Sequence, residues 1–230
     1  MEALVLCGGL GTRLRPVVPD RPKALAEVAG RPFLAYVLDQ LGRAGVGRAI
    51  LCTGHGADQV ARQFGARHGS MTLDYAVEET PLGTGGALRA ALPQLEGDRA
   101  LVANGDSILD APLDRLVDDE HTAVLALTEV ADAGRYGRVV LEADARIAGF
   151  EEKTAGAEPG LVNAGVYLVH RRRLEALSPL RPLSLEGDVF PAWIAGEGLW
   201  GWRSGGRLLD IGTPESYAAA ANFLAARRSA

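Results

Sequence analysis

The chain has 230 residues, 47% of them hydrophobic and 23% charged, with a formal net charge of −5. That size and balance suit one soluble α/β domain with a sizeable core and at most a small appended lobe. The acidic balance argues against non-specific nucleic-acid binding; no apolar run approaches a membrane span, and Met1-Glu2 leads into a strand without a signal peptide, so a cytoplasmic protein is expected.

Residues 3–23 are the most informative stretch. Ala3-Leu4-Val5-Leu6-Cys7 is an unbroken apolar run, as in a strand buried on both faces of a parallel sheet. It breaks at Gly8-Gly9-Leu10-Gly11-Thr12-Arg13, where three glycines let the backbone turn sharply and aim successive N–H groups at an anion. Four cations, Arg13, Arg15, Arg21 and Lys23, stand there against the single acid Asp20. A basic loop at the carboxyl end of the first strand of an acidic chain points to a polyphosphate site rather than to a surface turn that happens to be basic. The order G-x-x-x-x-G-K-[ST] is absent, which excludes a P-loop. Gly9-Leu10-Gly11 could open the dinucleotide fingerprint, but no third glycine follows, and Arg15-Pro16 stands where its helix would begin.

Gly30-Arg31-Pro32 reads as a turn, after which Phe33, Tyr36, Val37, Leu38 and Leu41 recur at helical spacing up to Gly42. Residues 49–53 form a second buried strand, Ala57–Phe64 a polar-faced helix ending near Gly65, and Met71–Val77 a third strand. Residues 78–86 are a second glycine-rich loop with a helix over 87–92 behind it, and residues 100–104 a fourth strand that stops at Gly105-Asp106. This rhythm predicts right-handed parallel βαβ units.

Past Asp106 the rhythm changes. A short helix over 113–118 and a strand over 123–128 precede two runs, Arg138–Leu141 and 146–150, spaced like an antiparallel hairpin. Residues 161–169 form another strand through Asn163-Ala164-Gly165. Residues 199–203 and 207–211 are expected to pair as a hairpin across Ser204-Gly205-Gly206. An Ala-rich helix from Pro214 closes the chain, a first-turn place that suits proline. The expected fold is α/β, a Rossmann-like mixed, mostly parallel sheet flanked by helices with a small antiparallel part. Residues 1–110 and 111–230 would be the two halves of one domain sharing that sheet. Cys7 and Cys52 lie in apolar runs and read as small core residues. The four histidines lack metal-ligand spacing, and the three tryptophans read as packing residues.

Gly8-Gly9-Leu10-Gly11-Thr12-Arg13-Leu14 with Pro22-Lys23 resembles the signature of the sugar-1-phosphate nucleotidyltransferases. Leu82-Gly83-Thr84-Gly85-Gly86, Asn104-Gly105-Asp106, Arg135-Tyr136-Gly137, Phe150-Glu151-Glu152-Lys153, Asn163-Ala164-Gly165-Val166-Tyr167 and Asp210-Ile211-Gly212-Thr213-Pro214 follow in the family's order and cover nearly the whole chain. Residues 17–20 and 81–86 look most like the short D-glycero-α-D-manno-heptose 1-phosphate guanylyltransferases. Ala24 departs from the proline usual after the signature lysine. The resemblance implies a nucleotide-diphospho-sugar transferase fold, with 1–110 binding nucleotide and 111–230 binding sugar phosphate. It implies a nucleoside triphosphate, GTP favoured, and a sugar 1-phosphate as substrates, with no nucleic-acid or membrane partner. The expected product is GDP-heptose for surface glycan assembly. Mannose 1-phosphate guanylyl transfer, or uridylyl transfer to a sugar such as MurNAc 1-phosphate, is the alternative within the family. A non-catalytic sensor on the same fold would be marked by loss of Lys23 or of either Asp106 or Asp210, and all three are present.

The resemblance also implies roles. Arg13, with the backbone of Leu6, Gly8, Gly9, Gly11 and Thr12, would hold the nucleotide. Lys23 would sit on its phosphates as a point charge, and Lys153 on the sugar phosphate. Glu78 aligns with the position that meets the base, where a carboxylate could accept from guanine N1–H and N2–H₂ together; read alone it is a solvated loop acid. Gly83, Thr84 and Gly85 would let backbone amides approach base and ribose. Asn104, Gly137, Glu152, Asn163 and Gly165 match sugar-contacting positions. Asp106 and Asp210 each follow or end a strand, where a lone aspartate is as readily a turn cap. The family match makes both ligands for Mg²⁺, with Mn²⁺ a substitute.

Overall fold

The apolar run at the amino terminus becomes β1 (Glu2–Leu6), an interior strand with parallel neighbours on both sides. The structure, a computed structural model, describes residues 1–151, 158–178 and 181–227. After β1 come a single 3₁₀ turn (Lys23–Leu25), a clip of β2 (Glu27–Val28) with β3 (Arg31–Pro32), and α1 (Phe33–Arg43). The chain continues through β4 (Arg48–Thr53), α2 (Ala57–Phe64), β5 (Arg67–His68), β6 (Met71–Val77), α3 (Gly83–Ala91) and β7 (Arg99–Asn104). The second half holds β8 (Ser107–Asp110), α4 (Asp114–Val117), β9 (Ala123–Val130), β10 (Arg138–Leu141), β11 (Ile147–Glu151), β12 (Gly160–His170) and α5 (Arg171–Glu175). A π-helical turn (Leu185–Val189), α6 (Phe190–Ala195), β13 (Trp200–Arg203), β14 (Arg207–Asp210) and α7 (Pro214–Arg227) complete it.

Among the described residues the main sheet has eight strands in the order β13-β9-β12-β7-β1-β4-β6-β5. β7, β1, β4 and β6 are parallel, whereas β12 runs antiparallel to both β7 and β9. β1 pairs with β4 on one side and with the later β7 on the other, so the connections diverge there. The carboxyl ends of β1 and β7 therefore open the crevice in which such sheets gather ligands. No helix of the described residues is long and apolar enough to cross a membrane.

Each face of the sheet has its own core. Ala3 and Val5 face Phe33, Leu34, Leu38 and Leu41 of α1 and Ala220 and Leu224 of α7. Leu4 faces Leu88 and Leu92 behind α3 and Phe190 and Trp193 of α6. That two-sided burial is why β1 carries no polar alternation. α1 ends where Gly45 takes a positive φ of 81°; Val46 N–H then bonds to Leu41 C=O at 3.1 Å and Gly45 N–H to Gly42 C=O at 3.1 Å, which satisfies the last carbonyls. Cys7 and Cys52 are buried and free; burial pushes both thiols up, Cys52 to about 12.

Two expectations are corrected. Residues 199–211 are not a hairpin: β13 joins the main sheet parallel to β9, and β14 pairs antiparallel with β8 in a separate ribbon. Trp200 and Trp202 are tied to β9 by the sheet, while Leu209 and Ile211 are drawn into the core under α1, so the two runs part at Ser204. The helix after the second glycine loop starts at Gly83 instead of residue 87, because Gly85 and Gly86 N–H groups are held by the Leu183 carbonyl. β8 itself, directly after Asp106, went unread as a strand.

Leu4 is fully buried in β1. Leu4→Ala is expected to cost about 2–5 kcal/mol, seen as a lower urea midpoint at unchanged slope. Val77→Ala, at a position 60% exposed, should stay within about 0.5 kcal/mol of the parent. A Leu4→Ala protein as stable as the parent would contradict β1 as the sheet's interior strand.

Candidate active site

The glycine loop leaves β1 against the end of β4, with Glu78 beyond β6 also close by. A Cβ on Gly8 would lie 3.0 Å from the Gly54 nitrogen and 3.2 Å from Glu78 Oε1, so only glycine lets the chain pass there. Gly11 turns with φ 58°, and Leu14 and Arg15 N–H groups close on its carbonyl. Among the described residues, no hydrogen bond uses the backbone N–H of Gly8, Gly9, Leu10, Gly11, Thr12 or Arg13. The Arg13 side chain is exposed and has no ion-pair partner among the described residues. Unspent donors beside an unpaired cation are what an oligophosphate needs.

Lys23 sits in the 3₁₀ turn behind this loop, with its stem packed under Gly11 and its side chain only 13% exposed. The preceding Pro22 packs on Gly56, where no Cβ could fit. Ala24, the departure from the expected proline, is buried. The Lys23 ammonium donates to Asp106 Oδ2 at 2.7 Å and stands 3.8 Å from Asp210 Oδ1.

The two aspartates are brought together by the β8–β14 ribbon. Asp210 is register partner of Ser107, the residue after Asp106, and Ile211 N–H bonds to the Asp106 carbonyl at 3.0 Å. Gly212 N–H donates to Asp210 Oδ1. Burial, then the Asp106 charge, raises the Asp210 carboxyl above its ordinary value, with Lys23 pulling the other way. Two carboxylates converging on one cation fit Mg²⁺, which takes one or two protein carboxylates and completes its shell with phosphate oxygens and water. The described residues hold no cluster of three or more His, Cys, Asp or Glu side chains that could cage a metal.

Two cavities adjoin here. One of about 200 Å³ is lined by Gly9, Gly11, Thr12, Arg13, Lys23 and Asp106. The other, of about 540 Å³, lies between Gly8–Leu10, Cys52, His55, residues 78–84, Ala87 and Asn104. Leu6, Gly9 and Asp106 line both. The larger is the more apolar and is large enough for a nucleoside.

Glu78 lines the larger cavity, but its Oε2 accepts from Leu82 N–H at 2.9 Å and so braces its own loop. Gly83 and Thr84 also line it. Thr84 Oγ1 accepts from Leu185 N–H at 2.8 Å, and a Cβ on Gly83 would meet the Leu183 carbonyl oxygen at 2.5 Å. Gly85 is buried, its N–H bonded to Leu183 C=O at 2.8 Å. The expectation that the Gly85 amide approaches base and ribose is corrected, since its N–H is held by Leu183 and the glycines of this turn pack against residues 183–189.

On the other side, Asn104 lines the larger cavity below a bulge in β12, whose register against β9 shifts between Asn163 and Tyr167. Gly165, with φ 74°, passes over Asn104 and Ser107 where a Cβ would come within 2.5 Å of Ser107 Oγ. Asn163 Oδ1 accepts from Gly165 N–H at 2.9 Å and its Nδ2 donates to the Tyr167 hydroxyl at 3.0 Å. Tyr167 is buried, which pushes its hydroxyl up. Asn104, Asn163 and Gly165 thus come together. Gly137, with φ 87°, lies at the start of the β10–β11 ribbon, beside Glu151. Glu152 and Lys153 lie outside the described residues.

The sequence reading missed His55, Tyr136, Ser107 and Tyr167 as neighbours of the site. His55 follows the end of a parallel strand, a position that could have marked it. The Tyr136 hydroxyl is pushed up by burial and then by the Asp210 charge. Tyr167 closes the Asn163–Tyr167 run that carries the family resemblance, but its apolar strand setting gives no sign of the bond to Asn163.

A family model described as nucleotidyl transferase matches residues 2–227. A D-glycero-α-D-manno-heptose 1-phosphate guanylyltransferase of Aneurinibacillus thermoaerophilus is 34% identical over 221 residues, 94% of this chain and 95% of the relative. A mannose-1-phosphate guanylyltransferase of Mycobacterium tuberculosis is 34% identical over 224 residues, but there the chain spans 62% of the relative. The crystal structure of HddC from Yersinia pseudotuberculosis, 29% identical, superposes with a TM-score of 0.87 over 97% of this chain and 99% of that one; its complex with GMP-PN gives 0.85. With its glycine loop, lysine and paired aspartates in the family's order, this chain belongs to the nucleotidyl transferase family.

Proposed function

We propose that the chain transfers GMP from GTP to a sugar 1-phosphate, D-glycero-α-D-manno-heptose 1-phosphate in the first instance, giving GDP-heptose and pyrophosphate. The observation that carries this is the meeting of Lys23, Asp106 and Asp210 beside the N–H groups of residues 8–13, unpaired among the described residues, at the mouth of a nucleoside-sized cavity. The guanylyltransferase relatives and the GMP-PN complex of HddC support guanine as the base. The heptose enzyme that matches end to end supports the sugar. Mannose 1-phosphate is the second reading, favoured by the mycobacterial relative.

In this reading residues 1–110 hold the nucleotide and 111–230 the sugar phosphate. The second ionisation of a phosphate monoester has a pKa of about 6, so the attacking oxygen is already anionic at neutral pH and no general base is required. That oxygen forms a bond to the α-phosphorus as the bond to the β-phosphate bridging oxygen breaks, and pyrophosphate leaves. The residues' task is positioning and charge neutralisation. Arg13 and the loop amides grip the triphosphate, and Lys23 neutralises charge on it. Asn104, Gly137, Asn163 and Gly165 shape the sugar side, with Glu152 on its hydroxyls and Lys153 on its phosphate. Glu78 holds the base loop and offers its remaining lone pairs to the guanine edge. Asp106 and Asp210 would hold Mg²⁺, which supplies Lewis-acid stabilisation of the α-phosphate.

Asp106→Ala, or removal of divalent metal with EDTA, is expected to lower kcat at least about 10²-fold. Pyrophosphate release by that variant at the parent rate would remove the aspartates from the chemistry. A grid of GTP, UTP, ATP, CTP and dTTP against heptose, mannose, glucose and MurNAc 1-phosphates should peak at GTP with heptose 1-phosphate. A maximum at mannose would select the second reading, and a maximum at UTP would overturn the base assignment.

A further inference from the structure

We infer that Lys23 holds the cation position between Asp106 and Asp210 in the nucleotide-free protein, so that the aspartate pair takes up a divalent ion only when a triphosphate draws the ammonium away. The inference rests on the proposed role of the two aspartates and adds the order in which the site is filled. The ammonium lies 2.7 Å from Asp106 Oδ2 and 3.8 Å from Asp210 Oδ1, in the place a shared metal ion would take. Two carboxylates and one ammonium carry a net charge of −1, and a dication on the same oxygens would face the ammonium at close range. Like charges so placed repel strongly in a partly buried site.

The backbone of Lys23 cannot retreat to make room. Its 3₁₀ turn is closed by Leu25 N–H on the Pro22 carbonyl at 2.8 Å and Ala26 N–H on the Lys23 carbonyl at 3.0 Å, with Gly11 against its Cβ. The four-carbon stem can still swing. Lys23 and the amide loop line the same cavity of about 200 Å³, so a phosphate seated on that loop lies within reach of side-chain rotation alone. Capture of the triphosphate does not require Lys23 to move first, since Arg13 and the amides of residues 8–13 are uncommitted among the described residues. Once the phosphates arrive, the ammonium exchanges carboxylate for phosphate and the ion entering with them takes the carboxylates. The exchange leaves every charge paired.

The test is Mn²⁺ binding to the full-length protein, followed by the electron paramagnetic resonance signal of free Mn²⁺, without nucleotide and with a non-hydrolysable GTP analogue whose own Mn²⁺ binding is subtracted. Without nucleotide, Lys23→Met should bind Mn²⁺ at least about tenfold more tightly than wild type, and Lys23→Met with Asp106→Asn should lose that gain. Lys23→Gln, which keeps the stem and removes only the charge, gives the same reading if Lys23→Met does not fold. If neither variant gains affinity while wild type with the analogue shows Asp106-dependent binding, the exchange is wrong and the metal assignment stands. If no form shows Asp106-dependent binding, the proposed role of the aspartates itself fails.

Discussion

Two carboxylates held beside one partly buried ammonium are the constraint on which the rest of the site depends. Asp106 and Asp210 would repel each other without a cation between them, and the fold brings them together by backbone pairing that owes nothing to their charges. β8 starts immediately after Asp106 and pairs with β14, which ends on Asp210. Gly212 then folds back to donate to the Asp210 carboxylate. Lys23 comes from a third place, a 3₁₀ turn pinned by Pro22 against Gly56. Removing one partner of such a cluster leaves a desolvated charge unpaired, and this is costlier than never having built it.

The two glycine-rich loops serve opposite ends. In residues 8–13 the backbone donors are unspent among the described residues, and glycine lets the chain pass close against Gly54 and Glu78. In residues 83–86 the Gly85 and Gly86 N–H groups are spent inward on Leu183, and glycine is needed because the 183–189 segment packs directly on the helix start. The second loop thus carries the cavity wall, braced by Thr84 and Glu78. A wall tied to the later half of the chain links the two sides of the crevice mechanically.

That link continues through the sheet. β12 is inserted antiparallel between β7 and β9, and its bulge places Asn163 and Gly165 over Asn104 and Ser107, at the end of β7. Tyr167, packed edge-on against Phe190 at 5.5 Å, holds Asn163 from inside the core. Asn163 and Gly165 are therefore placed by a strand of the same sheet that places the first glycine loop, so neither side can shift without disturbing the other.

The amino-acid sequence determined the parallel half almost completely. Unbroken apolar runs, helical periodicity and glycine breaks set β1, α1, β4, α2, β6 and β7 to within a few residues, because each is a local consequence of burial on one or both faces. It also marked the basic glycine loop, since a cluster of glycines and cations after a strand has few other uses, whereas Asp106 and Asp210 were singled out only by the resemblance to the family. The sequence could not show which distant run pairs with which. Residues 199–203 and 207–211 look like hairpin partners, and only competition for places beside β9 and β8 separates them. The same holds for the direction in which Gly85 and Thr84 spend their hydrogen bonds and for the ammonium lodged between the two aspartates. These were decided by tertiary structure alone, because a hydrogen bond or ion pair between residues roughly a hundred positions apart leaves no periodic trace in either segment.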